Sequence, residues 1–197
     1  TVATTAVMIG RMISNIGPGH VAIRWGLTGV NYTITSACAS ATHAIGEAAH
    51  MIAHGIQDVV ISGGSECGVT PLGIGGFCAL KALTTRNDAP EKASRPFDRD
   101  RDGFLLGEGS GILVLEPLEE AQKRGAKIYG EVLGYGASCD AYHMTAPSEN
   151  GAGAVLCMQN ALADAGVRPD EVGYINAHGT STELNDAIET AAIKQVF

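Results

Sequence analysis

The segment of residues 31–55, NYTITSACASATHAIGEAAHMIAHG, constrains the fold more than any other part of the chain. Its first residues, Tyr32 to Thr35, are aromatic or mostly β-branched, which predicts a strand. From Cys38 onward the segment is rich in Ala and lacks Pro, which predicts a helix that ends at Gly55. Cys38 is therefore expected at a strand-to-helix junction, in the first turn of the helix.

That position makes Cys38 a candidate nucleophile. Unpaired backbone N–H groups and the positive end of the helix dipole lie at a helix N-terminus. Both favour a thiolate over a thiol. The flanking residues are small, so a substrate carbonyl could approach the sulfur closely, and the same N–H groups could hold an oxyanion. The alternative is that Cys38 is a buried, inert cysteine.

Composition and charge limit the class of protein. The chain has 197 residues, of which 45% are hydrophobic and 17% charged, as expected for a globular protein without disorder. A net charge of -8 argues against a broad nucleic-acid-binding surface, although a local basic patch for an acidic partner stays possible.

The cysteine count and the hydropathy pattern indicate a compartment. Five cysteines without a CxxC pair predict neither a disulfide framework nor a structural zinc site, so we expect a reducing cytoplasm. No apolar run is long enough for a membrane span, and no signal peptide is recognisable. Both ends of the sequence resemble cut ends.

Helical and strand patterns alternate along the chain, which predicts an α/β fold with a parallel strand–helix–strand unit. Gly17-Pro18-Gly19 predicts a break between two helices. The predicted helices cover residues 1–16, 20–25, 38–55, 77–83, 118–124, 151–165 and 183–196, and the predicted strands cover 32–35, 58–62, 111–115, 128–136 and 173–177.

Residues 176–182, NAHGTST, form a second segment with chemical potential. A predicted strand delivers His178 into a loop of small hydroxyl residues. His178 could donate a hydrogen bond to a developing oxyanion, or act as a base near Cys38. Thr180 and Thr182 could hold a polar ligand arm. The alternative is a structural histidine.

Other patterns that suggest ligand binding fail on their spacing or context. Residues 98–103 imitate the start of a calcium loop, but position twelve is Gly109 where a bidentate Glu is required. Glu47, His50 and His54 share one helical face, but no second helix supplies a partner carboxylate. The glycines of 107–111 miss the dinucleotide-binding spacing and precede a strand. We expect no metal site.

Several segments together resemble one family: TSACASATHAIGEA, PLGIGGFCALKALTTRND, RPFDRDRDGFLLGEGSG, SCDAYHMTAPSENG and INAHGTST. They are similar to the β-ketoacyl-[acyl carrier protein] synthases, in particular the elongating type of bacterial fatty acid synthesis. The resemblance implies a thiolase-like αβαβα layered sandwich, incomplete at both ends. Residues 1–127 would be the later part of the N-terminal half, and 128–197 the first part of the C-terminal half.

The resemblance also implies roles for individual residues. Cys38 matches the nucleophile that takes the acyl chain, and His178 matches the first of two histidines that assist malonyl decarboxylation. Positions that match the pantetheine tunnel, the acyl pocket and a basic carrier-facing residue are Thr180, Thr182, Thr145, Phe77 and Lys81. The implied partners are acyl carrier protein and a second identical subunit. No cofactor is implied, since phosphopantetheine arrives on the carrier.

The sequence departs from the family pattern in what it lacks. The family's second catalytic histidine, its lysine loop and its gating loop have no counterpart in the 197 residues, so we expect a central portion that does not condense by itself. Three other condensing-fold interpretations stay open. A polyketide ketosynthase would share the chemistry, a chain-length factor would lack Cys38, and a thiolase would use a second cysteine.

Overall fold

The computed structural model describes residues 12–197. Two short 3-10 turns, Pro90–Lys92 and Pro169–Glu171, accompany the regular elements. The helices predicted at 118–124, 151–165 and 183–196 are confirmed to within one residue at each end. The order of elements is α1 (Ile16–Trp25), α2 (Ser40–Ala53), β1 (Val60–Cys67), α3 (Pro71–Ala79), β2 (Glu108–Leu115), α4 (Leu118–Lys123), α5 (Ala152–Ala165) and α6 (Glu183–Val196).

Helix α1 contains the Gly-Pro-Gly sequence that was expected to break it. Most of the helix predicted over 1–16 lies outside the described residues, but the predicted break is wrong because α1 runs through it. Pro18 lies in the first turn, where a backbone N–H has no acceptor within the helix, so its missing donor costs little. The predicted end is confirmed, since Gly26 closes α1 with a left-handed φ of 65°.

Strands β1 and β2 form a two-stranded sheet. Gly63 lies against Gly111, and Cys67 at the end of β1 contacts Glu108 at the start of β2, so the strands run antiparallel. Gly63 has a φ of 153°, and a Cβ there would collide with the Gly111 carbonyl. The approach of the two strands therefore requires glycine at this position.

Three predicted strands, at 32–35, 128–136 and 173–177, are wrong as hydrogen-bonded strands. A strand needs a neighbour for its backbone groups, and no other segment within residues 12–197 supplies one for these three. The predicted parallel strand–helix–strand unit is absent from the same range for that reason. The segment around Gly136 lies instead against α5, where the Cys157 thiol donates to the Gly136 carbonyl at 3.2 Å.

The chain divides into two compact units, each formed by two stretches of sequence. Of the described residues, 12–64 and 111–127 form the first unit, and 65–110 and 128–197 form the second. In the second unit α5 packs against α6, and the buried apolar side chains there include Val155 and Ala192. The predicted division into 1–127 and 128–197 stays a prediction.

Helix length and hydropathy also bear on membrane insertion. Among the helices of residues 12–197, none combines the length and the apolar character that crossing a bilayer requires.

Candidate active site

Cys38 lies on a tight turn that leads into α2. It precedes the helix, whose N-cap is Ala39, so the prediction that it belongs to the first helical turn is wrong by about two residues. The preceding residue, Ala37, has a left-handed φ of 50°, which is uncommon for a residue other than glycine. Cys38 is exposed, so the alternative of a buried cysteine fails within this chain.

His178 lies in a loop that a single carboxylate holds against α6. The backbone N–H of His178 donates to Glu189 Oε1 at 2.6 Å, and the N–H of Gly179 donates to Glu189 Oε2 at 2.8 Å. Gly179 has a φ of 51°. Its missing Cβ leaves room for the ring of Phe97, which would lie 3.3 Å from such an atom. The imidazole of His178 is consequently presented at the surface of the second unit.

The same loop has a buried anchor, Asp186, which is only 1% exposed. Its Oδ1 accepts from the backbone N–H of Ser181 at 3.2 Å, and its Oδ2 accepts from that of Phe97 at 2.7 Å. Both donors belong to non-glycine residues in the left-handed region, with φ of 63° and 65°. Asp186 therefore fixes two strained turns from two distant parts of the sequence.

Arg101 completes this anchor. Its Nε lies 3.4 Å from Asp186 Oδ2 and also donates to the Thr182 carbonyl at 2.8 Å. Its Nη2 donates to the Glu183 carbonyl at 2.5 Å. The Arg101 side chain is 15% exposed and the Asp186 side chain 1% exposed, so neither charge is well solvated by water. Each charge therefore requires the opposite charge of the other side chain to offset the cost of its burial.

The sequence interpretation missed Asp186, Glu189 and Arg101. The calcium-like pattern at residues 98–103 did not indicate that Arg101 is a half-buried partner of the His178 loop. One feature of the sequence could have identified the two carboxylates. Asp186 and Glu189 are spaced i, i+3 near the start of a helix that directly follows the loop, so both lie on one helix face close to it.

The remaining predicted residues of the second unit make separate contacts. Thr180 and Thr182 lie together, with their hydroxyl oxygens 2.7 Å apart. The ring of Phe77 packs edge-to-face on Phe104 at 5.3 Å. The N–H of Thr145 donates to His143 Nδ1 at 3.2 Å. The structure thus groups Thr180 and Thr182 with the His178 loop, whereas Cys38 belongs to the first unit.

Two other thiols have a raised pKa. A hydrogen bond with Glu108, followed by the charge of that carboxylate, raises the pKa of the Cys67 thiol. Burial raises the pKa of the Cys157 thiol. Both cysteines are therefore poorer nucleophiles at neutral pH than an unhindered thiol.

His50 and His54 belong to one of the sequence patterns that suggest a metal site. The rings of His50 and His54 lie edge-to-face at 6.1 Å. Within the part of the chain that the structure describes, no group of three His, Cys, Asp or Glu side chains is close enough to hold a metal ion.

The loop that carries Arg101 also contains Asp102, whose pKa is lowered to about 2. The largest cause is a hydrogen bond from the Thr84 hydroxyl at 2.6 Å, and the backbone N–H of Thr85 and the Arg95 guanidinium add to it. The backbone N–H of Arg95 in turn donates to the buried Ser181 hydroxyl at 2.9 Å. Asp102 therefore supports the segment that holds the His178 loop.

We expect this support to depend on pH. A carboxyl with a depressed folded-state pKa stabilises the fold above its unfolded pKa of about 3.9, and this stabilisation is lost as the pH falls towards about 2. Because the side chain is 35% exposed, the effect should be about 1 kcal/mol or less. Urea unfolding between pH 2 and pH 7 should show wild type more stable than Asp102→Asn at pH 6, with the difference closing near pH 2. A difference independent of pH would contradict this assignment.

Most of the chain matches two models of one protein family. Residues 2–121 match the family model described as the N-terminal domain of beta-ketoacyl synthase, and residues 129–197 match the model of its C-terminal domain. The proteins named 3-oxoacyl-[acyl-carrier-protein] synthase 2 of Coxiella burnetii and Vibrio cholerae are 55% and 56% identical to this chain over 185 residues. That alignment covers 94% of this chain but 45% of each relative.

Solved structures extend the similarity to the fold. A ketosynthase in complex with a type II PKS acyl-carrier protein superposes with a TM-score of 0.91 at 40% identity, over 95% of this chain and 46% of that one. A beta-ketoacyl synthase from Burkholderia phymatum gives a TM-score of 0.88 at 40% identity, over 93% and 44%. The α/β thiolase-like fold class is thereby confirmed. The chain spans less than half the length of the relatives it matches, and it belongs to the beta-ketoacyl synthase family.

Proposed function

We propose that the protein catalyses the decarboxylative Claisen condensation of an acyl-carrier-protein thioester with malonyl-carrier protein, which lengthens a fatty acid by two carbons. The observation that carries the proposal is the exposed thiol of Cys38 on a hydrogen-bonded turn at the start of α2, in a chain of the beta-ketoacyl synthase family. The 55% identity to a 3-oxoacyl-[acyl-carrier-protein] synthase 2 supports the choice of fatty acids.

In the first half-reaction the Cys38 thiolate attacks the carbonyl carbon of the acyl thioester. The new carbon–sulfur bond forms first and gives a tetrahedral intermediate. The bond to the pantetheine sulfur then breaks, and that sulfur takes up a proton, which balances the one that the Cys38 thiol lost, and leaves as a thiol. Backbone N–H groups at the start of a helix stabilise the oxyanion of the tetrahedral intermediate. The product is an acyl-Cys38 thioester.

In the second half-reaction malonyl-carrier protein loses CO2, and the electron pair of the broken carbon–carbon bond forms an enolate. We assign His178 to hydrogen-bond the enolate oxygen, since an exposed imidazole on a fixed loop can donate to a charge that develops there. The enolate carbon attacks acyl-Cys38 and expels the thiolate. In this proposal the hydroxyls of Thr180 and Thr182 hold the pantetheine arm, Thr145 lies near the tunnel that receives the arm, and Phe77 contacts the acyl chain.

The partner in this proposal is an acidic acyl carrier protein. Lys81, exposed and held with a φ of 55°, supplies a local positive charge on an otherwise acidic chain and would face the carrier. The reaction needs no bound cofactor, because the carrier brings its own phosphopantetheine. We further propose a cytoplasmic homodimer, which light scattering on the full-length protein can test.

The function can be tested with the full-length protein, an acyl-carrier protein and malonyl-carrier protein. The expected product is a 3-oxoacyl-carrier protein two carbons longer than the primer, together with CO2. The same acyl group on free pantetheine should react more slowly, and Lys81→Glu should reduce this preference for the carrier. Release of CO2 without a lengthened product would contradict the proposal.

A polyketide ketosynthase is the second candidate, because the TM-score of 0.91 is to a ketosynthase of that pathway. It would extend the same primer several times and leave the 3-oxo groups in place, so the mass of the product separates the two. The 197-residue chain by itself is expected to give neither product.

A further inference from the structure

Three polar side chains surround the turn that carries Cys38. Ser36 Oγ lies 2.7 Å from Nδ1 of His43, which is the fourth residue of α2. The backbone N–H of Ser36 donates to Ser40 Oγ at 2.8 Å, and the Ser40 hydroxyl donates to the Ala37 carbonyl at 2.7 Å. We call Ser36, Ser40 and His43 the elbow clasp.

The clasp encloses the strained residue of the turn. Ala37, with its φ of 50°, lies between Ser36 and Cys38. A left-handed non-glycine residue persists where its surroundings over-determine it. Here the Ser40 hydroxyl accepts from the backbone N–H of Ser36 and donates to the carbonyl of Ala37. Two backbone hydrogen bonds of 3.1 Å close the turn: the Ala39 N–H donates to the Ser36 carbonyl, and the Ser40 N–H donates to the Ala37 carbonyl.

The helix end of the clasp is itself fixed. His43 and Ser40 are both half-buried members of α2. Ala41, between them, lies so close to Gly64 of β1 that a Cβ on Gly64 would meet the Ala41 Cβ at 2.6 Å. The clasp therefore connects the turn to a helix that closely approaches β1 at Gly64, while the thiol of Cys38 stays exposed.

We propose that Ser36, Ser40 and His43 are positioning residues for Cys38. They keep Ala37 left-handed, and so they set the direction of the thiol and of the neighbouring backbone N–H groups relative to an arriving thioester carbonyl. This inference rests on the proposed role of Cys38 as the acyl acceptor. A displacement of about 1 Å in such a geometry can cost about 100-fold in rate.

Two substitutions of His43 distinguish an effect of its hydrogen bond to Ser36 from an effect of its side-chain volume. His43→Asn places an amide oxygen or nitrogen near the site of Nδ1 and can replace either tautomer, whereas His43→Leu fills similar space without a polar atom. Ser36→Ala removes the other end of the same hydrogen bond. The measured quantities are the rate of acyl transfer from acyl-carrier protein to Cys38 and the rate of Cys38 alkylation by iodoacetamide, both by mass spectrometry of the full-length protein.

We expect acyl transfer to fall about tenfold or more in His43→Leu and in Ser36→Ala, and to return to within about twofold of wild type in His43→Asn. The double variant should lose no more than either single variant, because both break one hydrogen bond. Alkylation of Cys38 by iodoacetamide, which needs no carbonyl geometry, should change less than acyl transfer. Alkylation of exposed Cys139 should not change and serves as the reference.

The outcomes distinguish this inference from the proposed function. If wild type does not acquire an acyl group on Cys38, the proposed function fails. If wild type is acylated and His43→Leu is acylated at the same rate, the elbow clasp has no positioning role. If acyl transfer is as slow in His43→Asn as in His43→Leu, the inference is overturned. It is also overturned if acyl transfer and alkylation of Cys38 both slow in proportion to a fall in melting temperature, since the residues then act only in folding.

Discussion

Replacing Asp186 by Ala should destabilise the protein by about 3–5 kcal/mol, the typical cost of removing one partner of a buried ion pair. The substitution leaves the guanidinium of Arg101 largely buried without its carboxylate. It also leaves the backbone N–H groups of Phe97 and Ser181 without the acceptor that holds both residues in the left-handed region. Urea unfolding of wild type and Asp186→Ala under the same conditions measures the difference.

A matched control is available in the same unit. Asp170 pairs with Arg168 at 3.0 Å, but both side chains are more than two-thirds exposed. Asp170→Ala should therefore change the free energy of unfolding by about 0.5 kcal/mol or less. If Asp186→Ala costs no more than Asp170→Ala, then Asp186 does not anchor the His178 loop.

Replacing Cys38 by Ala should abolish acyl transfer to the protein, with a loss on the order of 1000-fold or more, because the substitution removes the proposed nucleophile. The readout is the mass of the full-length protein after incubation with acyl-carrier protein, followed by assignment of the acylated peptide. Wild type should gain one acyl group on Cys38.

The other thiols provide the controls for this result. Cys139→Ala should be acylated like wild type, since Cys139 is exposed but lies outside the turn that carries Cys38. Cys67 and Cys157 should stay unmodified at neutral pH, because Glu108 in one case and burial in the other raise the pKa of the thiol. Acyl groups spread over several cysteines, or retained in Cys38→Ala, would contradict the assignment of Cys38 as the nucleophile.

Local sequence predicted most of the helices well and the strands poorly. The helix predicted at 77–83 is wrong in its bounds, since the helix in that region is α3, Pro71–Ala79. Helix α6 has the predicted bounds, and α4 and α5 differ from theirs by one residue, because capping residues and helix-forming side chains act within a few positions. The segments at 32–35, 128–136 and 173–177 have the residue types of strands, but a strand requires a partner that composition cannot name. The helix break predicted at Pro18 is wrong because the destabilisation that a proline causes depends on its position within the helix.

The sequence by itself determined the two segments on which the function is proposed, the turn at Cys38 and the loop at His178, together with the family that their motifs indicate. Only the tertiary structure decided what holds them. Phe97 and Asp186 are 89 residues apart in sequence, and Arg101 and Thr182 are 81 apart. Buried charges and left-handed turns must find partners wherever the chain brings them, so such contacts depend on folding in three dimensions, which no local pattern records.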